Sequence, residues 1–177
     1  PTAIAADEAT LPIHASKTEK LDYEGELAIV IGKRGQNIPK ALAFDYIFGY
    51  TIGNDISARD VQYRHGQYFL GKSLDGTCPL GPYLVSKDEI PDPQNLSIVT
   101  KVNGEIRQNS STKYMMFPVE DIISIVSQYV TLEPGDVILT GTPEGVGQGM
   151  NPPQYLKAGD EVKISIEGIG TLANRFA

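Results

Sequence analysis

Residues 21 to 33, LDYEGELAIVIGK, set Asp22, Glu24 and Glu26 at every second position and then run into almost purely apolar sequence. In an extended chain residues two apart share a face, so Glu24 and Glu26 point the same way. Two carboxylates about 4–6 Å apart at an effective dielectric of about 20 repel by roughly 3–4 kcal/mol. That repulsion favours a bound proton, a basic partner or a cation between them; the alternative is a strand end whose glutamates simply face water.

Three further polar clusters interrupt apolar segments. NDISARDVQ places Asp55 at the end of a strand, with Arg59 and Gln62 four and seven residues later, on one face if a helical turn begins there. Helix capping by Asp55 or Ser57 accounts for the carboxylate alone and less readily for Arg59 and Gln62. FLGKSLDGTCPLGP sets Lys72 among apolar and small residues, where its ammonium is partly desolvated unless the side chain snorkels to the surface. LTGTPEGVGQG is a glycine-rich turn whose backbone N–H groups and Thr140 and Thr142 hydroxyls are free to hold an anion. It lacks the GK[ST] of a P-loop, which excludes a nucleotide reading.

A metal site built from these parts is all oxygen, because no Cys or His pair has ligand spacing and His14 and His65 stand isolated. Carboxylate and water ligands select Mg²⁺, Mn²⁺ or Ca²⁺ over zinc. His65, beside Arg64, reads as a surface or packing residue. Cys78, in GTCPLGP, reads as a buried, inert thiol.

The elements that must position these residues are short. Twelve prolines and eighteen glycines among β-rich runs imply many turns and a sheet-dominated structure without repeats. Leu27 to Ile31 has no polar break and predicts a strand covered on both faces. KALAFDYIFG predicts a short helix after Pro39, and GYTIGNDIS a second buried strand ending at Asn54-Asp55. SIVTKVNGEIRQNS predicts a hairpin turning at Asn103-Gly104. A helix starts at Pro118, with Val119, Ile122, Ile123, Val126 and Val130 at helical spacing as a core stripe. LEPGD and LKAGD look like one turn-into-strand device used twice, before Val137 to Leu139 and Val162 to Ile166. Gly170 to Phe176 predicts a closing strand.

At 177 residues and 41% hydrophobic content the chain supports one domain with one core, 1–177. A net charge of −7 and the lack of a basic stripe argue against nucleic acid. One cysteine gives no internal disulfide, and no apolar run approaches the roughly 20 residues of a membrane span. A soluble, cytoplasmic protein is expected.

Taken in order, E-x-E after D-Y, N-D-x-x-A-R-D-x-Q, G-K-S and L-T-G-T-P-x-G-V-G resemble the fumarylacetoacetate hydrolase family from about Leu21 to the C-terminus. GMNPPQYLKAGD extends the turn in the manner of bacterial acylpyruvate hydrolases, oxaloacetate decarboxylases and the isomerases and decarboxylases of aromatic catabolism. The resemblance implies an α+β, mainly β fold, a mixed β-roll with a few short helices, and a homodimer. It implies a divalent cation, Mg²⁺ or Mn²⁺ with Ca²⁺ also compatible, on Glu24, Glu26 and Asp55. Lys72 is then the catalytic group facing the substrate, with Arg59, Gln62 and Thr142 lining its pocket. The substrate that the resemblance implies is a small 2-oxo acid, cleaved by acylpyruvate-type C–C hydrolysis or oxaloacetate-type decarboxylation through a metal-stabilised enolate. Isomerisation, or non-catalytic binding of metal and 2-oxo acid, are the alternatives.

The family's N-Y-x-x-H-A-x-E segment has no counterpart in this sequence. Water attack on a carbonyl carbon needs a positioned base, and neither His14 nor His65 is well placed for it. The expectation is a segment N-terminal to Pro1 that forms a short lid and brings a His-Glu pair.

Overall fold

The uninterrupted apolar run after Glu26 needs cover on both faces, and the architecture supplies it. The computed structural model describes residues 2–64 and 66–177. Its strands are β1 (Ile4–Ala5), β2 (Thr10–Leu11), β3 (Leu21–Asp22), β4 (Gly25–Ile31), β5 (Ile47–Asn54), β6 (Ser57–Ala58), β7 (Cys78–Ser86), β8 (Ser97–Val102), β9 (Glu105–Ser111), β10 (Val137–Leu139), β11 (Glu161–Ile166) and β12 (Gly170–Phe176). Three short helices, α1 (Arg59–Arg64), α2 (Phe69–Lys72) and α3 (Val119–Tyr129), complete the mainly β fold.

One five-stranded sheet has the order β1-β7-β5-β4-β10 and the other β2-β12-β11-β8-β9, while β3 and β6 pair separately. Antiparallel β5 and β10 flank β4, and all seven β4 residues are buried, as the apolar run predicts. Leu27, Ile29 and Ile31 from the first sheet join Ile98, Ile164 and Leu172 from the second in one core cluster.

Gly25 separates Glu24 from Glu26 for a packing reason. A Cβ at Gly25 would lie 2.4 Å from Thr100 Oγ1 and 3.2 Å from Gln108 Oε1. The face of β4 opposite the glutamates therefore touches the second sheet closely enough to exclude any side chain there.

Several predicted elements match. The hairpin of β8 and β9 turns at Asn103 (φ 51°) and Gly104 (φ 83°), both in the left-handed region that a type I′ turn demands. The two Gly-Asp turns are one device: Asp136 Oδ2 accepts from Glu133 N–H at 2.8 Å, and Asp160 Oδ2 from Lys157 N–H at 2.7 Å. The preceding glycines, Gly135 and Gly159, have φ of 92° and 93°.

Two predicted helices are shorter than their patterns. After Pro39 only a 3₁₀ turn forms, Lys40–Tyr46, and Ile47 already enters β5; Ile47 and Tyr50 are drawn into the core and tertiary pairing overrides the local helical pattern. In α3, Pro118 is the N-cap and Val130 lies beyond the helix with its side chain exposed. Val119 and Ile123 are buried, while Ile122 and Val126 line a cavity of about 790 Å³ with Leu27, Ile138 and Met115. Among the described residues no helix is long and apolar enough to cross a membrane.

Candidate metal centre

Glu24 precedes β4, Glu26 lies within it, and Asp55 follows β5 by one residue. The register pairs Gly25 with Asn54 and Glu26 with Gly53, and Asp55 donates its N–H to Glu24 O at 2.9 Å. Strand pairing thus brings the Asp55 carboxylate beside those of Glu24 and Glu26, far from it in the sequence. One oxygen from each of Glu24, Glu26 and Asp55 lies within 4.8 Å of the others.

Two cations are woven into this cluster. Lys72, at the end of α2, donates to Glu24 Oε2 at 2.7 Å and Asp55 Oδ2 at 2.6 Å. Arg59, at the start of α1, places Nη1 2.6 Å from Glu24 Oε1 and 3.2 Å from Gln62 Oε1. Its Nε and Nη2 both reach Asp22 Oδ2 at 2.9 Å. Arg59 and Gln62 are one helical turn apart and both buried, so the shared face read from their spacing exists. They form the cluster's inner support, and Thr142 borders the large cavity.

The protonation of the centre follows from burial. Glu26 is 2% exposed and burial pushes its carboxyl up to about 8, against one N–H bond from Gly141 that favours the charge. Asp55 is also raised, mainly by burial, which outweighs its contacts with Lys72. Burial alone would lower Lys72, but its bonds to Asp55 and Glu24 raise it overall, so it stays an ammonium.

Asp22, Glu24, Glu26 and Asp55 face Arg59 and Lys72 in one connected network. Four carboxylates against two cations leave an excess of two negative charges when all are ionised, the charge of one divalent cation. The donors are all oxygen, which matches a hard cation. The residues present therefore fit a divalent metal.

The glycine-rich turn differs from its sequence reading. Thr140 donates its hydroxyl to Leu27 O at 2.8 Å and Thr142 donates to Gly25 O at 3.0 Å, so neither hydroxyl is free for an external anion. The turn's N–H groups do hold anions, but internal ones: Gly141 donates to Glu26 Oε2 at 2.6 Å, and Gly147 and Gln148 donate to Asp22. Two further buried polar residues support the centre: Asp22, visible in the sequence only through its alternation with the glutamates, and Gln108, which belongs to no motif. Gln108 is buried, accepts from Gly25 N–H at 3.1 Å and donates to Thr142 Oγ1 at 2.8 Å.

His14 uses Nε2 on the carbonyl of Asp75 at 2.7 Å, and the expectation for His65 lies outside the described residues. Cys78 is half-buried rather than buried. Burial, with the Asp55 and Glu26 charges, pushes its thiol up to about 11, in keeping with an unreactive group.

The whole chain, residues 1–177, matches the family model of the fumarylacetoacetate (FAA) hydrolase C-terminal region. The chain belongs to the fumarylacetoacetate hydrolase family. An uncharacterized protein of Staphylococcus epidermidis is 58% identical over 171 residues, covering 97% of this chain and 57% of that protein. A fumarylacetoacetate hydrolase from psychrophilic Exiguobacterium antarcticum superposes with a TM-score of 0.97 at 51% identity, over 99% of this chain and 63% of that one. The 2-hydroxyhepta-2,4-diene-1,7-dioate isomerase of Mycobacterium marinum gives 0.89 at 43% identity, over 99% and 66%. Fumarylpyruvate hydrolase from Pseudomonas aeruginosa, solved with Mn²⁺ and pyruvate, gives 0.90 at 33% identity, over 99% and 75%. The chain thus spans little more than half of the curated relative and about two thirds of the first two solved structures.

Proposed function

We propose that this chain forms the metal-binding part of an enzyme that cleaves small 2-oxo acids, by C–C hydrolysis of an acylpyruvate or decarboxylation of an oxaloacetate-like acid. The observation that carries the reading is the convergence of one oxygen from each of Glu24, Glu26 and Asp55 within 4.8 Å. In this reading Glu24, Glu26 and Asp55 hold Mg²⁺ or Mn²⁺. When bound, that cation supplies Lewis acidity to the paired oxygens of a 2-oxo acid.

The remaining chemistry belongs to this chain's side chains. Lys72 has three N–H bonds and spends two on Glu24 and Asp55, which leaves one to meet negative charge developing on the substrate during C–C cleavage. Arg59 and Gln62 keep Glu24 oriented, and Thr142 stands at the rim between the acidic strand and the large cavity. A homodimer and a cytoplasmic location complete the proposal, with a small 2-oxo acid as the partner molecule.

Similarity to the M. marinum isomerase at 43% identity favours a second reading, tautomerisation without bond cleavage. The deciding experiment takes the full-length protein through oxaloacetate, acylpyruvates and a 2-hydroxydienedioate, each with Mg²⁺ or Mn²⁺ and with chelator, with products identified by mass. Metal-dependent release of pyruvate or CO₂ supports cleavage; an isomeric product of unchanged mass supports the second reading. Absence of turnover on every compound, with the metal bound, returns the protein to a binding role.

A further inference from the structure

The segment 22–27 and the turn 140–148 are joined along their length. Leu27, Glu26 and Gly25 are tied to Thr140, Gly141 and Thr142 in turn, and the Tyr23 hydroxyl donates to Gly145 O at 2.8 Å. Asp22 closes this ladder. Its Oδ1 accepts from Gly147 N–H at 2.7 Å and from Tyr23 N–H at 3.0 Å, and its Oδ2 from Gln148 N–H at 2.9 Å. Arg59 adds two more donors on Oδ2. Five donors saturate a carboxylate with about four lone-pair sites, and the side chain is completely buried. The approach is so close that a Cβ on Gly147 would stand 2.7 Å from Asp22 Oδ1 and 1.9 Å from Gln154 O.

Arg59 transmits this fixation. A guanidinium is a rigid plane, so holding one edge sets the direction of the other. Asp22 holds the Nε and Nη2 edge, and Nη1 then points at Glu24 Oε1. Glu24 is left with Oε2 turned toward Lys72 and the carboxylate cluster. We propose that Asp22 is a positioning residue: through Arg59 it fixes the orientation of Glu24, and through Gly147 and Gln148 it makes that orientation depend on the glycine-rich turn being docked. This rests on the reading of Glu24, Glu26 and Asp55 as the cation's ligands.

Partners of this kind typically alter metal affinity 10–100-fold. The test measures Mn²⁺ dissociation constants by electron paramagnetic resonance on the full-length protein and its Asp22→Asn, Arg59→Lys and doubly substituted variants, with thermal melts of the metal-free forms. The expected result is a loss of about tenfold or more in Asp22→Asn, and a double variant no weaker than Arg59→Lys alone within about threefold, because both act on Glu24 by one route. A merely structural Asp22 would lower the melting temperature at unchanged Mn²⁺ affinity, or its loss would multiply with that of Arg59→Lys; either overturns the proposal. If Asp22→Asn does not fold, Gln148→Pro removes one donor from the carboxylate's outer side. A several-fold loss of affinity is then expected, and unchanged affinity overturns the coupling. A wild-type protein that binds no Mn²⁺ overturns the ligand reading and this proposal together, whereas normal wild-type binding with a silent Asp22→Asn overturns this proposal alone.

Discussion

Arg59 Nη1 lies 2.6 Å from Glu24 Oε1, with the two side chains only 7% and 10% exposed. A pair so placed is not a surface salt bridge. Removing one partner leaves the other charge buried and uncompensated, a change that typically costs about 3–5 kcal/mol. Arg59→Leu strands Asp22 as well as Glu24 and is expected to lower the unfolding free energy by at least that amount, measured by urea denaturation of the metal-free protein. A loss below about 1 kcal/mol is the value of an exposed pair and would contradict the buried network.

Glu26 gives a pH dependence whose sign is fixed. Its folded-state carboxyl is raised to about 8 from an unfolded value of 4.5, so between those values the folded protein binds more protons than the unfolded one. Stability from this group is fully present below about pH 4.5 and is lost as pH rises through about 8. The metal-free protein is expected to lose stability from pH 5 to 8, and Glu26→Gln to flatten that slope. Melts in chelator across this range check it; a slope unchanged by the substitution assigns the effect to another group.

Lys72 places a positive charge 2.7 and 2.6 Å from Glu24 and Asp55, which opposes the binding of a second cation there. Lys72→Met removes one positive charge from the carboxylates, and at an effective dielectric of about 20 such a contact is worth several kcal/mol before screening. Mn²⁺ affinity is expected to rise roughly tenfold or more while turnover falls. Turnover at the wild-type level would remove Lys72 from the chemistry.

Gly25 ties the site to the core. Gly25→Ala drives a Cβ to 2.4 Å from Thr100 Oγ1, and overpacking of this kind costs about 1–3 kcal/mol. Thr100→Ala is expected to recover part of that loss in the double variant. Strict additivity of the two substitutions in denaturation would show that the clash is relieved elsewhere.

The site was legible in sequence where a rule of short range governs it. Period-two alternation puts Glu24 and Glu26 on one face, and one helical turn puts Arg59 beside Gln62. The Asn-Gly hairpin and the paired Gly-Asp turns were equally readable, because Gly104, Gly135 and Gly159 carry their own conformational signature. What local pattern could not disclose is pairing across the fold. Ile47 reads as helix until β5 claims it for the sheet. Thr140 and Thr142 read as free hydroxyls until β4 offers them carbonyls. Asp22 reads as the outermost of three similar acids, yet it is the one that closes completely around Arg59 and the turn.

The central claim is that Glu24, Glu26 and Asp55 hold one divalent cation, and anomalous diffraction at the manganese edge from Mn²⁺-containing crystals of the full-length protein tests it most directly. The account predicts one strong peak with an oxygen of each of the three carboxylates at coordination distance, about 2 Å. A peak elsewhere, or none with the three carboxylates still bound only to Lys72, Arg59 and Gly141, would contradict it.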